Sequence, residues 1–189
     1  MKKQAIIIHG WESNPTEHWF PWLKFELEKK DFEVSTPAMP DTFFPKQNQW
    51  VQYLQEIAGA VDKDTFLIGH SLGVITILRF LEQLTENEKI GGAILVAGFS
   101  ESLAVVPEIE NFFTDTVDYK KTKEHCEKFI IINSDNDPWV PLKSGKIMQR
   151  ELGGKFMILH NCGHFSLGTG DNKFPGLVDE LLKISKNQI

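Results

Sequence analysis

Five short apolar runs, at residues 5–8, 66–68, 93–97, 129–132 and 156–159, are uninterrupted by any polar residue. A strand with one face in water alternates polar with apolar side chains, whereas a strand covered on both faces does not. These runs therefore predict a parallel sheet with helices packed on either side. Helical stripes fall between them. Trp19, Leu23 and Leu27 form one; Trp50, Leu54, Ile57 and Val61 form a second. Residues 72–84 are apolar on nearly every side, Ile147, Met148 and Leu152 precede Gly153-Gly154, and Leu177, Val178, Leu181 and Leu182 close the chain. A sixth run, Phe32-Glu33-Val34-Ser35, does alternate and is followed by Pro37 and Pro40, as suits an edge strand. The repeated change from strand to helix predicts a three-layer α/β/α sandwich with about six mainly parallel strands, in one domain over residues 1–189.

Residues 99–125 break this rhythm. They hold Leu103, Val105, Val106, Ile109, Phe112, Phe113 and Tyr119, and are long for a simple connection. Two expectations stand: a small cap over the carboxyl ends of the strands, or an extended crossover with a helix near residues 107–113.

Hydrophobic residues make up 41% of the chain and charged residues 24%, which fits a folded core rather than a disordered segment. The net charge of −6 weighs against a nucleic-acid partner, because backbone phosphates call for a basic face. Four apolar residues after Lys2-Lys3-Gln4 are too few for a signal-peptide core, and no apolar run approaches a membrane span. With no secretion signal, Cys126 and Cys162 read as reduced thiols of a cytoplasmic protein. Metal-ligand spacing such as His-Glu-x-x-His is absent, so neither metal nor organic cofactor is expected.

The chemistry converges on Gly69-His70-Ser71-Leu72-Gly73, which joins the run ending at Ile68 to the apolar helical stretch. A Gly-x-Ser-x-Gly at a strand-to-helix junction holds a serine hydroxyl above the sheet, ready to attack. A neutral hydroxyl needs a base within reach, and the base needs an orienting acid. Two later loops supply them in the order serine, acid, histidine. One is Asn133-Ser134-Asp135-Asn136-Asp137-Pro138-Trp139-Val140-Pro141, directly after the run at residues 129–132; the other is Asn161-Cys162-Gly163-His164-Phe165, just beyond residues 156–159. Both Asp135 and Asp137 are candidates for the acid, and His160 rivals His164. His9, His18, His70 and His125 fall off these loops and read as surface or structural. Backbone amides of Leu72 and Trp11 are placed to receive an oxyanion. Trp11, Phe99, Trp139 and Phe165 are candidate walls of a substrate pocket.

Four segments carry a resemblance to a known family: Ile7-Ile8-His9-Gly10-Trp11, Gly69-His70-Ser71-Leu72-Gly73, Ser134-Asp135-Asn136-Asp137-Pro138-Trp139-Val140-Pro141, and Gly163-His164-Phe165. Over essentially its whole length the chain resembles the small α/β-hydrolases of the retinoblastoma-binding-protein-9/YdeN-like serine hydrolase family. That resemblance implies Ser71 as nucleophile, Asp137 as acid and His164 as base. It selects Asp137 because the family's Asp-x-x-Val-Pro pattern falls there. It implies a serine hydrolase without defining the substrate; the aromatic residues Trp11, Phe99, Trp139 and Phe165 favour a small apolar acyl or alcohol group, which makes short-chain carboxyl esters the test class for acyl transfer to water. Animal relatives are associated with the retinoblastoma protein through Leu-x-Cys-x-Glu. This chain lacks that motif, since Glu124 and His160 stand two residues before its cysteines.

Two other readings compete. In one, the fold serves as a non-catalytic protein-binding module, given aromatics expected at the surface at Trp19, Phe20, Trp22, Phe43 and Phe44. Alternatively Cys162, near His164, serves as nucleophile, which leaves Ser71 unexplained.

Overall fold

Six parallel strands share one sheet in the order β2-β1-β3-β4-β5-β6. They are β1 (Lys3–Ile8), β2 (Phe32–Ser35), β3 (Thr65–His70), β4 (Gly92–Val96), β5 (Phe129–Ser134) and β6 (Lys155–Leu159). This computed structural model describes residues 2–104, 106–166 and 172–186. The helices are α1 (Phe20–Glu28), α2 (Gln47–Ala58), α3 (Leu72–Leu81), α4 (Tyr119–Glu124), α5 (Leu142–Leu152) and α6 (Pro175–Lys186). The three-layer α/β/α sandwich expected from the apolar runs is present.

Alternation of side chains through the pleat divides the core in two. Ile6, Ile8, Leu67, Leu95 and Ile131 face α2, α3 and α5. Their neighbours Ala5, Ile7, Ile68, Ile94 and Ile130 face α1 and α6. Both faces are thus dry, which is why the central strands carry no polar residue at alternate positions.

The outermost strands depart from that pattern. β2 shows the expected alternation of a sheet edge. β6 was expected to be covered on both faces, yet it is half-buried at best and Ile158 is 40% exposed. It is the other edge: it pairs with β5 alone among the described residues, so its apolar side chains meet neighbours on one flank only. Helix ends differ too. Gly59, at φ 59°, turns the chain after Ala58, so Val61 is buried outside α2. α3 stops at Leu81 rather than reaching Leu84.

Between β4 and β5 the chain forms a 3-10 helix, Pro107–Phe112, and then α4. Ile109 and Phe112 are buried, and Leu103, Val106 and Phe113 pack against the same core. Val105 lies outside the described residues. An unexpected anchor holds this excursion. Arg79, in the otherwise apolar α3, is 5% exposed. It donates to the carbonyls of Phe112 and Asp115 and pairs with Glu82 at 3.0 Å. Burying a guanidinium is costly unless its donors are filled, and here the excursion's carbonyls fill them.

Of the five aromatics expected at the surface, Trp19 and Phe20 are instead buried under the sheet and Trp22 is half-buried. Phe43 and Phe44 are exposed.

Candidate active site

The Ser71 backbone sits at φ 54°, ψ −118°, between the last residue of β3 and the first of α3. A non-glycine residue pays for that conformation, so neighbouring structure must impose it. Ser71 N–H donates to Val96 C=O at 3.0 Å, and Val74 N–H donates to Ser71 C=O at 3.0 Å. Close approach explains the glycines around it. A Cβ on Gly69 would lie 2.9 Å from Gly73 backbone, and one on Gly73 would strike the carbonyl oxygens of Ile8 and His9. α3 can therefore lie directly on β1. A Cβ on Gly10 would stand 3.0 Å from Ser71 Cβ, so the loop after β1 grazes the serine.

That loop is pinned by His9, which is 1% exposed. Its Nε2 accepts from Met39 N–H at 3.0 Å, which puts the proton on Nδ1, donated to Gly10 C=O at 2.8 Å. Burial holds the His9 pKa below the ordinary imidazole value, consistent with this neutral tautomer. Trp11 follows, and its indole N–H donates to Phe43 C=O at 3.3 Å. Leu72 begins α3, where backbone N–H groups lack intrahelical partners and the dipole favours negative charge.

The acid and base loops interlock through four successive side chains. Ser134 Oγ accepts from Cys162 N–H at 3.0 Å. Asp135 accepts from Asn161 N–H at 2.9 Å and from His160 Nδ1 at 2.5 Å. Asn136 Oδ1 accepts from Gly163 N–H at 2.8 Å. Asp137 Oδ2 accepts from His164 Nδ1 at 2.8 Å. The other oxygen of Asp137 takes Trp139 N–H at 2.9 Å and Val140 N–H at 3.0 Å. Its side chain is 0% exposed, and that of His164 is 12%. Asp137 thus meets His164, which borders the same cavity as Ser71, while Asp135 meets His160, and neither of these two borders it.

Ser71, His164, Leu72 and Trp11 border one cavity of about 250 Å³. Phe99, Leu103, Val106 and Ile109 form an apolar wall, with Trp139 and Val140 beside it. Ser13, Glu17 and His18 form a polar wall that residue patterns did not reveal. Ser13 Oγ donates to Glu17 at 2.9 Å, and His18 Nε2 lies 3.8 Å from Glu17. No periodicity or motif marks residues 13–18; their role in the wall comes from the chain's path into α1.

Phe165 does not line this cavity. It is 8% exposed and stacks on Phe174 at 5.4 Å, on the α1–α6 side of the sheet, with its carbonyl taken by the Trp19 indole N–H at 3.1 Å. Its backbone has a positive φ of 55°. Cys162 also borders a different cavity from Ser71. Burial and the Asp135 carboxylate raise its thiol pKa, which disfavours the nucleophilic thiolate. Burial pushes Cys126 up to about 12. Among the described residues no group of three or more His, Cys, Asp or Glu side chains could hold a metal ion, and no helix is long and apolar enough to cross a membrane.

Residues 5–183 match the serine hydrolase family. YdeN of Bacillus subtilis is 33% identical over 96% of this chain and 95% of its own. The crystal structure of the B. subtilis ydeN gene product superposes with a TM-score of 0.93, covering 97% of this chain and 99% of that one. The rat serine hydrolase RBBP9 is 26% identical over 86% of this chain and 87% of its own. Est1E from Butyrivibrio proteoclasticus, solved with ferulic acid, shares the fold at a TM-score of 0.78 and 14% identity, covering 98% of this chain and 89% of that one. With nearly the whole sequence matched by the family and by a relative at 33% identity, this chain belongs to the serine hydrolase family.

Proposed function

We propose that the protein is a carboxylesterase that hydrolyses small esters through Ser71, His164 and Asp137. The observation that carries this reading is the shared cleft, bordered by a strained serine at a helix N-terminus and by an imidazole whose Nδ1 proton is held by a covered carboxylate. With Nδ1 donating to Asp137, the Nε2 lone pair of His164 is free to take the hydroxyl proton. Ser71 Oγ attacks the ester carbonyl as that proton leaves. Charge builds on the carbonyl oxygen, and the N–H groups of Leu72 and Trp11 receive it; no described residue accepts from Trp11 N–H. Protonated His164, stabilised by Asp137, then gives its proton to the leaving alcohol. Water attacks the acyl-enzyme with the same imidazole as base, and Ser71 is restored. Every step uses side chains or amides of this chain.

Residues 99–125 act, in this reading, as a small cap within the single domain, whose Leu103, Val106 and Ile109 contact an apolar acyl or alcohol group. Apolar walls of this kind discriminate chain lengths modestly, by about 10-fold per methylene. The two unpaired thiols fit a cytoplasmic enzyme.

Hydrolysis of p-nitrophenyl esters of graded acyl length, beside Ser71→Ala, tests the reading. Turnover that disappears in the variant supports it. Turnover surviving in a folded Ser71→Ala protein, or absent from the wild type with every acyl length, refutes it.

A further inference from the structure

We propose that His70, the residue immediately before Ser71, is a positioning residue that fixes the main chain of His164 and so sets the base against the nucleophile. This rests on reading Ser71 and His164 as nucleophile and base. His70 is 2% exposed and enclosed by rings: Trp19, Phe20 and His18 stand 6.0, 5.9 and 5.8 Å away, and the His164 ring is at 4.9 Å. An aliphatic or phenyl side chain would suit such surroundings. The imidazole instead leaves its Nδ1 buried without a partner, which is costly. What it gains is on the other nitrogen. Nε2 lies 2.7 Å from the carbonyl oxygen of His164, and because a carbonyl only accepts, Nε2 carries the proton and donates it.

The segment it holds has reason to drift. Gly163 and Phe165, either side of His164, both adopt positive φ, at 53° and 55°. For Phe165 that conformation is strained and persists only while its surroundings impose it. Asn136 fastens the chain before His164 through Gly163 N–H, and His70 fastens the His164 carbonyl itself. Asp137 orients the ring, but one side-chain bond about a rotatable stem does not locate the Cα. His70 does, from a rigid base: it pairs in register with Val96, whose carbonyl also holds Ser71 N–H. One hydrogen bond therefore joins the strand that presents the nucleophile to the loop that presents the base. Burial keeps the His70 ring neutral, so no second positive charge arises beside His164 when that ring takes up the serine proton.

The test compares His70→Leu, which removes the donor, with His70→Gln, whose amide nitrogen occupies roughly the place of Nε2. Steady-state hydrolysis of p-nitrophenyl butyrate is measured for each alongside thermal unfolding. The expected result is a kcat about 10- to 100-fold lower in His70→Leu, with KM within about twofold, and recovery of most of that loss in His70→Gln. Equal impairment of both variants at wild-type melting temperature overturns the proposal, because packing rather than the donor then matters. So does a His70→Leu protein with wild-type kcat. If His70→Leu does not fold, His70→Asn takes its place, with an amide too short to reach the carbonyl and the same two outcomes. Activity in the wild type that is lost in Ser71→Ala keeps this test separate from the esterase reading, which fails on its own if wild-type protein hydrolyses nothing.

Discussion

The same two loops build two Asp–His pairs, and only one of them borders the cleft. Asp137 and His164 meet at 2.8 Å with side-chain exposures of 0% and 12%. Asp135 and His160 meet at 2.5 Å with exposures of 35% and 82%. The shorter contact belongs to the more exposed pair, so distance alone does not identify working chemistry. What differs is enclosure. Around Asp137 the backbone N–H groups of Trp139 and Val140 complete the carboxylate's partners, and the ring it orients is mostly buried. Around Asp135 the hydrogen bond from Asn161 N–H and then the His160 ring hold the carboxyl below its ordinary value, in contact with solvent. Charge interactions there are screened and add little. The outer pair ties the loops together at their surface, whereas the inner pair stands beside a strained serine.

The widest separation between the pairs is expected from their histidines. His164→Ala should lower kcat for a p-nitrophenyl ester by about 10⁴- to 10⁶-fold, and His160→Ala by less than about threefold. Comparable losses from both substitutions, measured on folded proteins, break the distinction. The acids should follow with a smaller contrast. Asp137→Asn is expected to cost about 10⁴-fold in kcat, since an amide there favours the wrong tautomer of His164. Asp135→Asn keeps an oxygen for Asn161 N–H and should stay within about fivefold of wild type. A larger loss in Asp135→Asn would move the acid to that residue.

Acid titration separates buried imidazoles from exposed ones in stability rather than rate. Burial lowers the pKa of His9 and of His70. Unfolded chain takes up protons at these residues below about pH 6.5, while folded protein resists doing so. The unfolded state then binds more protons, so stability falls as pH drops below the unfolded value, by up to about 1.4 kcal/mol per pH unit for each ring. Urea midpoints measured from pH 7 to pH 5 should decline, and less steeply in His9→Gln. Constant midpoints over that range contradict neutral burial. The smallest effect is expected at the mouth. Trp139 is 64% exposed, and its backbone rather than its indole serves Asp137. Trp139→Ala should raise KM for short esters by about two- to fivefold and leave kcat nearly unchanged.

Fold and site were legible to different depths, for physical reasons. Strands buried on both faces announce themselves by composition, and the five apolar runs fall on β1, β3, β4, β5 and β6, with only Ala97 past the end of its strand. Composition does not say which of them ends the sheet, so β6 looked interior. Its apolar side chains cover helices without a strand beyond. The glycines at 69 and 73 mark close backbone approach directly, because Cβ atoms there would collide with Gly73 and with β1. Phe165 misled because sequence order gives no side-chain direction: its ring packs on Phe174 in the α1–α6 layer instead of lining the cavity. Arg79, Glu17 and His18 were illegible for another reason: each draws its meaning from a segment distant in sequence or from an irregular loop. A buried arginine inside an apolar helix is an exception that the carbonyls of Phe112 and Asp115, together with Glu82, explain.

Reaction with a fluorophosphonate, followed by mass spectrometry of the peptide that carries the adduct, tests the central claim most directly. The account predicts one adduct on Ser71, formed at a rate that collapses in His164→Ala and holds in His160→Ala. An adduct elsewhere, equal rates in the two histidine variants, or labelling that persists in folded Ser71→Ala would contradict it.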